Sequence, residues 1–289
     1  MTRQIVSQIY GGLGNQLFQF AMGRAMALRS QSTLLLDKRY FANNVTYRLG
    51  HFNTEQALTA GRLPPLREHE RLRYRLWRRL KLKPHLLKEN GLAFHPHLLE
   101  PTTNVWLHGY WQSERYFADV ADTIRTDLRI VTPASDENRR HLAMIAETPA
   151  ISLHVRRGDY LLPENQTLFA ACTESYYARA LELIASEMRA EPLVYVFSDD
   201  PAWARDNLSL PFEKRVMGHN GRDDDYEDMR LMSACQHHII ANSTFSWWGA
   251  WLNPAPDKIV VAPATWFIDP KAANPDIIPE HWRRIANHG

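Results

Sequence analysis

The sequence predicts an α/β protein of two doubly wound halves, in which parallel strands alternate with helices. Three observations predict it. Short β-branched runs alternate with Ala-, Leu- and Met-rich helical runs along most of the 289 residues. A glycine cluster, Gly11, Gly12 and Gly14, separates the first such strand from the first helix, which is how a doubly wound half opens. A polar stretch, residues 132–148, interrupts the alternation before it resumes. A chain of this length supports one large or two modest cores, and we place the division at 1–135 and 136–289.

The elements follow in chain order. "IVSQIY" (5–10) is short and β-branched and reads as a strand. "QLFQFAMGRAMALRS", behind the glycines, has helical propensity throughout. "TLLLD" (33–37) reads as the second strand, "NVWLHGYWQ" (104–112) as another, and "SERYFADVADTI" as a helix capped by Ser113. A linker then runs into a helix with Ser135 or Asp136 as cap. "AISLHV" is a strand, and "TESYYARALELIASEM" a helix with Thr173 as N-cap. "LVYVFSDD" is a strand, and "PAWARDNL" opens a helix with proline in its first turn. "DDYEDMRLMSAC" is a helix, "HHIIA" a strand, "STFSWWGAWL" a helix and "KIVVAP" a strand. Strands separated by helices imply parallel sheets. No internal repeat is visible.

Apolar content of 45% and charged content of 23% are those of a soluble globular protein. A net charge of +2 says little about partners, and no nucleic acid is expected among them. Cys172 and Cys235 match neither a disulfide framework nor a zinc cluster. "MTRQIVSQIYGG" lacks the apolar core of a signal peptide, and no run reaches the roughly 20 apolar residues of a membrane span. The expected location is cytoplasmic. Charge is nevertheless uneven: Arg62 to Glu89 holds ten Arg or Lys against three Glu. There "LREHERLRYRLWRRLKLK" interleaves cations with Leu66, Leu72, Leu76, Trp77 and Leu80, the spacing of an amphipathic helix. Such a helix is either a solvated surface or an interfacial element touching anionic lipid or a lipid-linked acceptor.

Chemistry gathers at predicted strand ends, where open α/β sheets bind ligands. In "HVRRGDY" alternation places His154 and Arg156 on one face and Val155 and Arg157 on the other. Arg156 offers a planar fork for phosphate oxygens, while a carboxylate, Asp159 being near in sequence, holds the second arginine. On its own the cluster is equally an Arg–Asp pair at a strand end. "GGLGNQ" lets backbone amides approach an anion, but it is neither G-x-G-x-x-G nor a P-loop, and a tight turn explains it as well. In "FSDDP", Ser198, Asp199 and Asp200 end a strand; one aspartate suits a nucleobase or ribose, another a helix cap. "DDDYED" (223–228) reads as acids at a helix start, with no His or Asn spaced to complete a metal shell. In "ANSTFSWWGAWL", Asn242, Ser243, Thr244, Phe245 and Ser246 surround a helix start suited to a diphosphate. Trp247, Trp248 and Trp251 read as packing. His237 and His238 have no evident metal partners.

Five segments, "GGLGNQLFQFA", "GYWQSERYF", "HVRRGDY", "SDD" and "IIANSTFSWWGAWL", resemble the successive signatures of family 11 glycosyltransferases, the bacterial α-1,2-fucosyltransferases. Their order and spacing match over almost the whole chain; the basic stretch 62–89 is outside the likeness. The resemblance implies a GT-B-like fold: an acceptor-side α/β domain (1–135) facing a Rossmann-like GDP-sugar domain (136–289) across a cleft. It implies inverting transfer from GDP-β-L-fucose to the 2-hydroxyl of a terminal galactose, with no cofactor and no metal. The acceptor is a galactose-terminated oligosaccharide or a lipid-linked glycan, as in O-antigen or lipopolysaccharide synthesis.

Residue by residue, the resemblance implies that His154 and Arg156 contact the nucleotide and its β-phosphate, and Asp199, beside Ser198, the guanine. Ser243, Thr244 and Ser246 would contact phosphate, and Gly12, Gly14 and Asn15 would close over the diphosphate. Glu164, ten residues after His154, is the implied base; Asp37, Asp159 and Glu114 are alternatives. Two other readings stay open. One is a transferase for another GDP-sugar or linkage, the other a GDP-sugar-binding protein without turnover.

Overall fold

The computed structural model describes residues 3–42, 46–55, 57–59, 65, 70–79, 85–100, 102, 104–158, 170–188 and 190–288. The chain divides into two compact units, Met1–Asp127 and Leu128–Gly289. The division placed at 135/136 from sequence lies slightly further on, at the start of a helix.

The first unit contains β1 (Gln4–Gln8), α1 (Leu13–Arg29), β2 (Thr33–Asp37), β3 (Leu58–Thr59), α2 (Arg71–Arg79), β4 (His85–Lys88), β5 (Val105–His108) and α3 (Ala121–Asp127). Its sheet runs β3-β2-β1-β5-β4, and every pairing is parallel. The α1 segment has no β-branched residue, so no side chain crowds the preceding turn. It is buried nearly all round, including Gln16 and Gln19. Gly23 permits that seating: a Cβ there would stand 2.9 Å from the Ser7 Cβ and the Leu34 Cδ1. Arg24, the charge within this apolar run, donates to Asp127 at 2.7 Å.

The second unit contains α4 (Asp136–Glu147), β6 (Ala150–Val155), α5 (Glu174–Glu187), β7 (Leu193–Ser198), α6 (Pro201–Asp206), β8 (Lys214–Met217), α7 (Asp225–Ala234), β9 (His237–Ile239), α8 (Thr244–Leu252), β10 (Val260–Pro263) and β11 (Arg283–Ile285). The sheet order is β11-β10-β9-β6-β7-β8, again all parallel. Numbered within the unit, this is the Rossmann order, and it reverses between β6 and β9. All six residues of β6 are buried. Ile151, Leu153 and Val155 pack with Tyr176, Tyr177 and Leu181 of α5. Ala150 on the other face packs with Tyr195, Phe197 and Met232. His154 shares that second face by alternation.

Several expectations change in detail. The strand at 104–112 stops at His108, and "SERYFADVADTI" forms two 3₁₀ turns before α3. Phe117 adopts φ −140°, ψ 13° between those turns, which breaks a continuous helix while its ring packs on Phe18. Ser113 caps the first 3₁₀ turn, accepting from the Arg115 N–H at 3.3 Å. Ser135 caps α4 and Asp200 caps α6. Thr173 is the N-cap residue of α5 as expected, but its hydroxyl donates to the Asn287 carbonyl at 2.9 Å and makes no cap bond to a helix amide. The short strands β3, β4, β8 and β11 carry no sequence signal that we read. Trp247, Trp248 and Trp251 are core residues; the indole of Trp247 donates to the Ile277 carbonyl at 2.7 Å. The basic stretch forms α2 over part of its length. No helix among the described residues is long and apolar enough to cross a membrane.

Candidate active site

In the second unit, chemistry collects at the carboxyl ends of β6, β7 and β9, around the point where strand order reverses. The register explains the grouping. Val155 pairs with Ser198, so the residues after each strand, Arg156–Arg157 and Asp199–Asp200, come side by side. The Asp199 carboxylate accepts from the Arg157 backbone N–H at 2.9 Å and meets the Arg156 guanidinium at 3.1 Å. Gly158 makes the approach feasible: a Cβ there would lie 2.7 Å from Asp199 Oδ2. Arg157 lies 3.8 Å from Asp200 and its guanidinium rests 3.6 Å over the Trp203 ring.

Asp199 and Asp200, just after β7, are the carboxylates that meet the adjacent arginines; Asp159, the candidate near in sequence, lies outside the described residues, as does Glu164. Both arginines are paired, so Arg156 is anchored as well as presented. Asp199 retains lone pairs beyond these two contacts, so a nucleobase contact is compatible with its anchoring role. The Ser198 hydroxyl accepts from the Asp200 N–H at 3.0 Å and shapes the turn. The Trp203 platform under Arg157 was invisible in sequence because it depends on the β6–β7 register.

His154 is only 4% exposed. Its Nδ1 is buried without a hydrogen-bond partner among the described residues, and its ring lies 5.7 Å from that of Phe245 at the start of α8. Burial, then the neighbouring Arg156 charge, lowers its pKa to about 3, with Asp199 opposing. The imidazole is therefore neutral at pH 7 and offers a hydrogen-bonding nitrogen that nothing described uses.

The residues around the α8 start have different roles. Asn242 is buried, and its amide donates to the Ala170 and Trp266 carbonyls at 3.0 and 2.9 Å. Through these bonds it ties the segments at Ala170 and Trp266 to the end of β9. Ser246 is also buried, its hydroxyl donating back to the Ser243 carbonyl at 3.2 Å, so its side chain faces the helix. Phe245 packs partly into the core. Ser243 is the N-cap residue without a side-chain cap bond. The partly exposed hydroxyls of Ser243 and Thr244, with the first-turn amides of α8, are what this terminus offers an anion.

In the first unit, the glycine loop sits at the equivalent reversal, after β1. Gly11 has φ +78° and a Cβ would lie 3.0 Å from Asn15 Nδ2. Gly12 is the exposed N-cap of α1, Gly14 is buried in its first turn, and Asn15 Oδ1 accepts from Gln112 at 2.9 Å. Gln16 ties the loop down, donating to the Gly11 and Thr46 carbonyls at 2.9 and 3.1 Å. Asp37 is fully buried and clasped by Arg39 at 2.8 and 2.6 Å. Glu114 opens a 3₁₀ turn.

Elsewhere among the described residues, Glu137, His141 and His219 bring donor atoms within 4.8 Å of one another, away from the β6–β9 reversal. Asp228 accepts from the Asn220 side-chain amide at 2.7 Å. A cavity of about 690 Å³, lined by Pro149, His237, Lys258 and Arg283 among others, opens at the amino-terminal edge of the second sheet, opposite the edge where such folds bind ligands.

Comparison with known proteins agrees with this layout. The profile of "Glycosyl transferase family 11" matches residues 87–286. An alpha-1,2-colitosyltransferase of Escherichia coli is 31% identical, with the match covering 97% of this chain and 98% of that protein. The O-antigen biosynthesis glycosyltransferase WbnK of Escherichia coli is 33% identical, covering 90% and 94%. A solved structure of an Arabidopsis thaliana FUT1 mutant in complex with GDP has a TM-score of 0.52 at 12% identity, covering 90% of this chain and 70% of that one. That likeness concerns the GT-B-like fold. With a profile match over more than half its length and near full-length relatives above 30% identity, the chain belongs to glycosyl transferase family 11.

Proposed function

We propose that the chain is an inverting transferase that moves L-fucose from GDP-β-L-fucose to the 2-hydroxyl of a terminal galactose. The observation that carries this is the convergence at one sheet edge of a neutral, unpartnered imidazole nitrogen on His154, the anchored guanidinium of Arg156 and the start of α8. Together they suit a nucleoside diphosphate. As the C1–O bond breaks, negative charge grows on the departing GDP. Arg156 and the α8 amides stabilise it; such preorganised donors are worth about 3 to 4 kcal/mol each. Ser243 and Thr244 add hydroxyl donors, His154 binds through Nδ1, and Asp199 meets the base. The acceptor hydroxyl attacks the opposite face of an oxocarbenium-like centre, and Glu164 takes its proton.

The reading assigns charge stabilisation to protein groups, so a chelator leaves the rate unchanged. The test is GDP release from GDP-fucose with lactose as acceptor. Wild-type chain releases GDP, and Glu164→Gln slows turnover with GDP affinity retained. No release with any galactoside overturns the reading. A second reading keeps the α-1,2 linkage and changes the sugar, as the name of the 31%-identical colitosyltransferase suggests. Competition between GDP-fucose, GDP-mannose and a colitose donor decides between them.

A peripheral membrane contact belongs to the same proposal. On α2, Tyr74 and Trp77 pack toward Val6, Leu35 and Trp106. Leu72 and Leu76 are 80% and 58% exposed, one turn apart, among exposed Arg71, Arg73, Arg75 and Arg79. Outward leucines amid arginines suit an anionic bilayer surface, where a lipid-linked acceptor would be found.

A further inference from the structure

The carboxyl edge of the first sheet carries a row of aromatic rings that the nucleotide chemistry does not use. Tyr40 follows β2, Tyr10 follows β1 and Tyr110 follows β5, three adjacent strands in the sheet. The Tyr10 ring lies 5.9 Å from Tyr40, 5.2 Å from Tyr110 and 5.9 Å from His108, against which it stacks. Tyr40 and Tyr110 are 39% and 37% exposed, and they are two of only six large hydrophobic side chains so exposed among the described residues. Both converge on one ring.

The turn that presents Tyr110 is held in an unusual shape. Glu89, just after β4, accepts from the backbone N–H groups of Tyr110 and Trp111 at 2.6 and 2.9 Å. Gly109 lets it in, since a Cβ there would meet Glu89 Oε2 at 2.8 Å. Trp111 is fully buried with φ +59°, a left-handed backbone that a bulky residue rarely adopts. Gln112 then bonds Asn15 in the glycine loop. A clasped carboxylate, a buried indole and a side-chain bond thus hold a strained turn whose single outward residue is Tyr110. Strain of this kind persists where the surroundings over-determine it, commonly at ligand sites.

We propose that Tyr10, Tyr40 and Tyr110 form the platform on which a pyranose ring of the glycan acceptor stacks, with Glu89 as the positioning residue that holds Tyr110 in place. A galactose ring has an apolar C–H face and a rim of hydroxyls. Exposed phenols match both, with ring faces for the first and hydroxyls for the second. This deepens the functional reading given above and rests on it for the identity of the ligand.

The test uses saturation-transfer NMR of lactose with the full chain, irradiating aromatic protein protons, alongside calorimetry with GDP. Wild type transfers saturation to lactose; Tyr110→Ala and Tyr40→Ala lose most of it, Tyr110→Phe restores most of it, and GDP affinity is unchanged in all. In turnover assays the acceptor KM rises about tenfold or more in Tyr110→Ala with kcat nearly retained. Glu89→Gln, which keeps one acceptor for two N–H groups, gives an intermediate rise in KM. Equal saturation in wild type and both alanine variants, or none in wild type, overturns the platform. Failure of the functional reading is separate: lactose binds at the tyrosines, yet no GDP is released from GDP-fucose.

Discussion

Acidification should reveal His154. Its pKa falls from the ordinary 6.5 to about 3 in the folded chain, through burial first and the Arg156 charge second. Between those values the unfolded chain takes up a proton that the folded chain refuses. Stability therefore rises with pH in this window and is lost as pH falls below 6.5. Each unit of pKa difference is worth about 1.4 kcal/mol, so the single imidazole accounts for about 2 kcal/mol of stability lost between roughly pH 7.5 and pH 5. Other titrating groups act over the same range, and comparison with His154→Gln, which carries an amide that does not titrate, cancels them. Urea denaturation midpoints are measured for both chains at about pH 5, 6 and 7.5. Wild type should lose about 2 kcal/mol more than the variant on acidification. Parallel losses would show that His154 is not held neutral by its surroundings, and the argument for a vacant imidazole nitrogen at the phosphate site would fail with it.

Arg156→Ala should weaken GDP binding by calorimetry by about tenfold or more, the scale of one hydrogen bond to a charged group; wild-type affinity would remove the anchor of the proposed site. Asp228 has the opposite pH sign to His154. Burial and the nearby Asp225, Glu227 and Asp224 charges raise it from 3.8 to about 7 against the Asn220 hydrogen bond, so it destabilises the fold as pH rises through about 4 to 7. Asp228→Asn should flatten that decline and gain up to about 4 kcal/mol at pH 8 in the same urea assay. Gly11→Ala should cost about 1–2 kcal/mol from its left-handed backbone alone, read as a lower thermal midpoint. Leu72→Ser with Leu76→Ser should reduce sedimentation with anionic vesicles by about tenfold or more, and binding equal to wild type would leave α2 a solvated surface helix.

Sequence reading reached the elements whose signal is local. The glycine loop, α1 and the long buried strand β6 are written in propensity, and the Asp200 cap in the Asp-Pro pair at 200–201. The second sheet's order was not legible, because which strand neighbours β6 depends on pairings across the whole unit, such as Ser152 with His238. The same gap explains why the Asp199 and Asp200 contacts to the arginines were not read: they are distant in sequence and near in register. Asn242 and Ser246 suit a ligand by type, and what the sequence did not carry is that both side chains are buried and donate to neighbouring carbonyls. Glu89 and Trp111 gave no motif at all, since a carboxylate clasping two amides depends on a turn that propensity does not encode.

The placement of β6 has a consequence for how the chain is made. A ribosome that has delivered β6, β7 and β8 has produced a three-stranded sheet with β6 at one margin, its backbone donors and acceptors unclaimed and its side chains wholly apolar or uncharged. That margin is covered only when β9 at His237–Ile239 emerges. During that interval the nascent chain exposes the kind of edge that recruits another copy. Slower synthesis with chaperone supply should favour yield more than any change to the finished surface, and fragments ending before β9 should aggregate.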